Sequence, residues 1–167
     1  YDNAEIRSGL FYIPDDMYFL SNATVESMGR FYQGMYESFD MELLYKILSV
    51  FSLDKKAKLR SFSKGMKRQA EIAFALASRP KFMLLDEVFD GLDPQKRELT
   101  KNLFLEYIAD TKCSVIISSH SLAELSNHDI QSGVLPVPKL NKEQTEYYST
   151  TTNSATAMAV PVTTKDT

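Results

Sequence analysis

FMLLDE, residues 82–87, is the most informative segment of the sequence. Its first four residues are continuously apolar, which is typical of a strand in a parallel sheet covered on both faces. The strand ends in two adjacent carboxylates, Asp86 and Glu87, at the carboxyl edge where α/β sheets carry their sites. A core strand that ends in an ordinary solvated turn would give the same residues. The flanking sequence therefore has to decide between a functional site and such a turn.

The downstream sequence repeats the alternation of strand and helix. Asp93 followed by Pro94 predicts a capped helix that runs to about Ala109. A second buried strand is predicted at residues 114–118, and His120 and a short helix follow it. This alternation predicts βαβ units, and therefore an α/β fold with a parallel sheet covered by helices.

The upstream sequence begins with an apolar run at residues 9–14, which predicts a further strand that ends in a loop. Two amphipathic helices are predicted at residues 25–36 and 41–51. Thr24 and Asp40 are their N-cap candidates, because short oxygen-bearing side chains accept hydrogen bonds from the first turn of a helix.

A third helix is predicted from about Ser63 to about Ser78. The serine hydroxyl, the flexible Gly65 and the backbone N–H groups at the positive end of this helix could bind an anion. Three basic residues add positive charge there: Lys64, Lys67 and Arg68. The alternative interpretation is a capped helix with a basic, solvated face.

The composition restricts the possible partners. The net charge of −3, with both signs interspersed, gives no electrostatic argument for binding nucleic acid or an anionic membrane surface. The single Cys113 excludes an internal disulfide, and no apolar run approaches the roughly 20 residues of a membrane span. A strand so close to Tyr1 suggests that the sequence is a fragment.

Four motifs, taken in order, resemble those of the ATP-binding cassette (ABC) ATPase family. They are FSKGM at residues 62–66 for the signature, residues 82–87 for Walker B, residues 91–94 for the D-loop and His120 for the switch histidine. The resemblance covers about residues 9–125. It implies a partial P-loop NTPase fold of the ABC type, in which a helical subdomain accompanies the helix-covered parallel sheet.

The resemblance also implies a domain organisation. A partial ATPase domain would span residues 1–138. Apart from the resemblance, residues 139–167 are predicted to be a disordered tail, because residues 149–167 are rich in Thr, Ser and Ala and show no periodicity. The helical subdomain would occupy about residues 21–76. Its outer face would receive the transmembrane subunit of a transporter.

Site roles are implied residue by residue. Asp86 would bind Mg²⁺, Glu87 would orient or deprotonate the attacking water, and His120 would contact the γ-phosphate of ATP. Ser63 and Gly65 would bind the γ-phosphate of an ATP held by a second ATPase subunit, because family members form head-to-tail dimers. Asp93 would bridge the two half-sites.

The sequence departs from the family at three places. Lys64 and Met66 replace a glycine and a glutamine of the signature, a variant that resembles exporter-type ATPases. Asp15 stands where the family has a glutamine that serves Mg²⁺ and water, and its added charge puts that role in doubt. The phosphate-binding motif Gly-x-x-x-x-Gly-Lys-Ser/Thr is absent from the sequence.

These features predict the C-terminal part of the ATP-hydrolysing subunit of an ABC transporter, inactive alone, with ATP and Mg²⁺ as cofactors. We expect it in the cytoplasm at the inner face of the cell membrane, with no nucleic-acid partner. Two alternatives are a degenerate, non-hydrolysing regulatory module and an ABC ATPase of DNA maintenance. Only 48 positions separate Asp15 from Ser63, too few for the long coiled coil of the DNA-maintenance class.

Overall fold

The computed structural model describes residues 8–118 in full and the backbone of residues 132–134 and 159–161. Five strands are present: β1 (Leu10–Ile13), β2 (Phe82–Asp86), β3 (Ser114–Ser118), β4 (Ser132–Val134) and β5 (Ala159–Pro161). Four α-helices are present in the described residues: α1 (Val25–Met35), α2 (Met41–Phe51), α3 (Lys64–Ala77) and α4 (Pro94–Thr111). A 3-10 helix, Leu59–Ser61, precedes α3.

The five strands form one sheet in the order β1, β2, β3, β5, β4. β1 pairs with β2 and β2 with β3 in parallel, as the alternation of strand and helix predicts. β5 runs antiparallel to both β3 and β4. The parallel sheet is therefore confirmed for its first three strands and continues into a short antiparallel edge.

The helices begin where their caps predict. The Thr24 hydroxyl accepts from the backbone N–H of Ser27, and the Asp40 carboxylate accepts from that of Leu43. Ser63 caps α3 in the same way. Each cap satisfies an N–H group that has no acceptor within its own helix, and this fixes the first residue of the helix.

One face of the parallel strands is buried against the helices. Because paired residues of adjacent strands point to the same face, the in-register row Phe11, Met83 and Val115 lies on this face, and all three are buried. The Phe11 ring packs on Tyr32 of α1 and on Tyr36, which directly follows this helix. Apolar residues of all four helices belong to the same core.

The other face of these strands is largely uncovered within the described residues. Tyr12 and Phe82, on this face of β1 and β2, are each 53% exposed, and Leu84 and Ile116 are only partly buried. The sequence predicts that both faces of the sheet are covered. In the part of the chain that the structure describes, one face is covered and the other is largely open.

The predicted disordered tail contains a short strand. Residues 159–161, within the predicted disordered tail, form β5, so the prediction is wrong for these three residues. The reason is that β3 offers an unpaired edge that a distant short segment can join, and three residues are too few to show periodicity. The rest of the tail, the helix after His120 and His120 itself lie outside the described residues.

Candidate functional site

The carboxyl ends of β2 and β3 meet at Asp86. Asp86 and Ser118 are paired in the sheet register, and the Ser118 hydroxyl donates a hydrogen bond to Asp86 Oδ1. The next residue is tied to the same strand, since the backbone N–H of Glu87 donates to the carbonyl of Ser118 at 3.1 Å. Two strand ends thus hold two adjacent carboxylates at the edge where the sequence predicts a site.

Glu87 has a left-handed backbone, with φ of 47°. A residue other than glycine avoids this region because its Cβ crowds the backbone, at a cost of about 1–3 kcal/mol. The conformation is held from both sides, because the Glu87 carbonyl also accepts from the N–H of Asp90 at 2.9 Å. Such strain concentrates at functional sites and turns the chain sharply away from the strand.

The signature segment forms the N-terminal end of α3. Ser63 is exposed, and its hydroxyl accepts from the N–H of Met66 at 3.2 Å. Gly65 lies against the D-loop of the same chain so closely that a Cβ added to it would be 2.5 Å from the carbonyl oxygen of Gly91. Only glycine permits this contact between two backbones.

An ion pair crosses the same contact. Lys64 Nζ lies 2.5 Å from Asp90 Oδ2, and both side chains are about half exposed, at 56% and 52%. The hydrogen bond to Asp90 raises the pKa of Lys64, and the same bond lowers the pKa of Asp90. The start of α3 and the residues that precede the D-loop are therefore joined by charge as well as by packing.

Asp93 of the D-loop is the N-cap of α4. Its carboxylate accepts from the N–H of Lys96 at 2.9 Å, and Pro94 occupies the first turn. The residue is exposed. Its local role is thus to start the helix, and its exposed position leaves it accessible to another molecule.

Asp15 lies just after β1 and is bound by a buried arginine of α3. Arg68 Nη2 donates to the Asp15 carbonyl at 2.9 Å and lies 3.4 Å from its Oδ1, while Nη1 donates to the Pro14 carbonyl at 2.7 Å. The Arg68 side chain is 0% exposed, whereas that of Asp15 is 54% exposed. The alternative interpretation of a basic, solvated face is therefore wrong for Arg68, whose side chain is buried and donates to these carbonyls.

A second buried charge accompanies the arginine. Glu71 Oε2 lies 3.3 Å from Arg68 Nη1, and the Glu71 side chain is 5% exposed. Burial raises the pKa of Glu71 to about 7, against the opposing attraction of Arg68. Sequence reasoning missed the pair of Arg68 and Glu71, because charged residues at this spacing are ordinary on an amphipathic helix. It also missed the contact of Ser118 with Asp86, because a serine at the end of a strand is equally ordinary.

The described site residues fall into two groups. Asp86 and Glu87 lie together at the ends of β2 and β3. Ser63 and Gly65 start α3, which contacts the D-loop residue Gly91 through Gly65. Asp15 joins the second group through Arg68. His120 is outside the described residues, as noted above.

Sequence comparison gives the relationships of the chain. A family model described as "AAA domain, putative AbiEii toxin, Type IV TA system" matches residues 7–126. The ABC transporter ATP-binding protein YtrB of Bacillus subtilis is 26% identical over 121 residues, which cover 72% of this chain and 41% of YtrB. The lipopolysaccharide export system ATP-binding protein LptB of Escherichia coli is 43% identical over 65 residues, 39% of this chain and 27% of LptB. The chain spans less than half the length of either relative.

Comparison with solved structures supports the same fold. The ATP-binding subunit of an ABC transporter superposes with a TM-score of 0.60 at 24% identity, covering 68% of this chain and 56% of that subunit. An ABC transporter ATP-binding protein from Pyrococcus furiosus gives a TM-score of 0.61 at 20% identity, covering 71% and 60%. By its family match, the chain belongs to this AAA-domain family, and its sequence and its fold are similar to those of ABC transporter ATP-binding proteins.

Proposed function

We propose that the chain supplies the hydrolytic carboxylates and the partner-facing signature of an ABC ATPase that drives transport, and that the transporter is of the exporter type. The observation that carries this proposal is the pair of strand ends that hold Asp86 and Glu87 side by side, with Glu87 in a strained left-handed backbone. Left-handed residues also end ordinary helices in this chain, at Ser52 and Lys112, so the conformation of Glu87 supports the proposal only together with its place beside Asp86 at the strand ends.

Asp86 would be a protein ligand of Mg²⁺. Magnesium takes oxygen ligands and is commonly bound by one or two carboxylates together with phosphate oxygens and water. The donors at the strand ends, the Asp86 carboxylate and the Ser118 hydroxyl, are both oxygens. Residues 8–118 contain no cluster of three or more acidic, histidine or cysteine side chains that could hold a metal, so the nucleotide would have to supply further ligands. Bound Mg²⁺ would neutralise charge that develops on the phosphates.

Glu87 would orient the attacking water and accept its proton. The residue follows the strand end directly, and both of its backbone hydrogen-bonding groups are held, which fixes the point from which the carboxylate projects. A fixed base loses little entropy when the water is bound. His120, two residues beyond Ser118, would contact the γ-phosphate.

Ser63 and Gly65 would bind the γ-phosphate of an ATP held by a second subunit in a head-to-tail dimer. The first N–H groups of α3 have no acceptor within the helix, and the helix dipole favours an anion there. Asp93, exposed at the start of α4, would bridge the two half-sites. Asp15 would serve Mg²⁺ and water, with Arg68 offsetting part of its charge.

The remaining proposals concern the whole protein. The helical subdomain at about residues 21–76 would receive a transmembrane subunit, and the protein would lie in the cytoplasm at the inner face of the membrane. In the part of the chain that the structure describes, no helix is long and apolar enough to cross a membrane. The domain would extend to residue 138, with residues 139–167 as a tail.

The uncovered sheet face supports a further part of the ATPase outside these residues, which would carry the phosphate-binding loop. Tyr12 and Phe82 are each 53% exposed on that face. The 167-residue chain alone should then show no Mg²⁺-dependent ATP binding by isothermal titration calorimetry. Micromolar binding by the isolated chain would contradict this proposal.

The catalytic assignment is tested with Glu87→Gln in the full-length protein. We expect turnover to fall about 10²–10⁴-fold, because the amide cannot accept the proton, while Mg-ATP binding and dimerisation persist. Glu98→Gln, an exposed glutamate on α4, is the matched control and should leave turnover unchanged. Unchanged turnover in Glu87→Gln would remove Glu87 from this role, whereas a wild-type protein without turnover would favour a module that does not hydrolyse ATP.

A further inference from the structure

Arg68 is a fully buried arginine whose contacts join two segments far apart in the sequence. Its side chain is 0% exposed. Nη1 donates to the Pro14 carbonyl at 2.7 Å and Nη2 to the Asp15 carbonyl at 2.9 Å. A buried charge is unfavourable unless it is paired and hydrogen-bonded, so these contacts are needed to keep the side chain where it is.

The geometry of these contacts is specific to arginine. The guanidinium is planar with a fixed fork of donors, and here its two terminal nitrogens reach two successive carbonyls. The carboxylates of Asp15 and Glu71 lie 3.4 Å and 3.3 Å from the same two nitrogens. A lysine keeps the charge, but its single ammonium group cannot reproduce both carbonyl contacts in this arrangement.

The two segments that Arg68 joins both carry proposed site residues. Arg68 lies about one turn beyond the start of α3, where Ser63 and Gly65 are found. Pro14 and Asp15 directly follow β1, which pairs with the strand that ends at Asp86. The start of α3 is also held on the D-loop side, by the close contact of Gly65 with Gly91.

We infer that Arg68 is a positioning residue of the ATPase, which fixes the start of α3 to the loop after β1 so that the signature and Asp15 move as one body. This inference rests on the proposed function. It assigns Arg68 no contact with nucleotide. Its consequence is that loss of the forked contact should release the loop and slow turnover without a matching loss of nucleotide affinity.

The first experiment measures the link itself in the full-length protein. Chymotrypsin can cleave after Tyr18, which is 78% exposed in this loop. In Arg68→Lys we expect cleavage there to be about tenfold faster than in wild type, because the loop loses hydrogen bonds to a charged donor. Two controls should leave the rate unchanged: Arg79→Lys, which alters an exposed arginine paired with Asp40, and Ile72→Val, which weakens the buried side of α3.

The second experiment measures steady-state ATP hydrolysis by the same folded variants. Arg68→Lys should lower kcat about tenfold and change the KM for ATP by less than about twofold, since its effect is on positioning rather than binding. Ile72→Val should change neither, because a loss of stability alone leaves the folded enzyme intact below its melting temperature.

The outcomes are separable. An unchanged cleavage rate in Arg68→Lys overturns the link, and faster cleavage with an unchanged kcat overturns the positioning role. If the wild-type protein hydrolyses no ATP, the proposed function is wrong, and so is the positioning role that rests on it. The cleavage rates still decide whether Arg68 links α3 to the loop after β1. If Arg68→Lys does not fold, Arg68→Gln, whose amide can donate to one of the two carbonyls, replaces it under the same criteria.

Discussion

Gly65→Ala tests how closely the signature helix packs on the D-loop. A Cβ at residue 65 would lie 2.5 Å from the Gly91 carbonyl oxygen, closer than any ordinary contact. The obstacle is backbone rather than the end of a flexible side chain, so either α3 or the turn at Gly91 has to move. The substitution therefore acts on the contact between two segments that we propose to face a partner's ATP.

The magnitude follows from two opposing effects. Forcing a methyl group into a packed contact typically costs about 1–3 kcal/mol. Replacing glycine by alanine in a helix stabilises the helix by about 0.5–1 kcal/mol. We expect a net loss of about 1–2 kcal/mol in the free energy of unfolding for Gly65→Ala.

Gly34→Ala is the matched control. Gly34 also lies in a helix, near the end of α1, and a Cβ there would meet nothing within 4 Å. It should leave stability unchanged or raise it by up to about 1 kcal/mol. Urea unfolding followed by circular dichroism should then place the two midpoints about 1 M apart with equal slopes. Equal midpoints would refute the close packing of Gly65 on Gly91.

Three further predictions concern stability. Asp93→Ala should cost about 1 kcal/mol by removing the cap of α4, and Asp93→Asn should restore most of it in the same urea assay. Because burial raises the pKa of Glu71 from 4.5 to about 7, its contribution to stability is fully present below 4.5 and is lost as pH rises through about 7. Glu71→Gln should therefore flatten the decline in the free energy of unfolding between about pH 5 and about pH 7.5. An unchanged slope would contradict the raised pKa of Glu71. The exposed pair of Arg79 and Asp40, 2.7 Å apart, should contribute less than about 1 kcal/mol. Asp40→Asn, which keeps the cap, should measure that contribution, and its effect should vanish at about 1 M salt.

The sequence could predict what local rules control. Caps at Thr24, Asp40, Ser63 and Asp93 located the helix starts, since each accepts a hydrogen bond within its own first turn. The apolar run that ends at Asp86 located β2. Continuous apolarity over a few residues is itself a local signal.

What the sequence could not predict depends on distant partners. Arg68 is buried because it finds carbonyls 53 and 54 positions away, and the letters around it match a solvated helical face. β5 forms because β3 has an edge to pair. The left-handed backbone of Glu87 is also invisible in the sequence, since glycine is the residue expected there.

In the dimer that we propose, Glu87 serves the ATP of its own subunit whereas Ser63 serves the ATP of the partner. Mixing two inactive variants of the full-length protein tests this claim most directly, with ATP hydrolysis as the readout. Glu87→Gln removes the base, and Ser63→Asp keeps the cap of α3 but places a negative charge against the γ-phosphate.

In a mixed dimer, one site would combine the intact Glu87 of one subunit with the intact Ser63 of the other. An equal mixture should regain about a quarter of wild-type turnover, because half of randomly formed dimers are mixed and each has one intact site. Recovery of that size is the predicted result. If the mixture stays as inactive as its two components, Ser63 and Glu87 do not act across the subunit interface, and the proposed arrangement of the dimer is wrong.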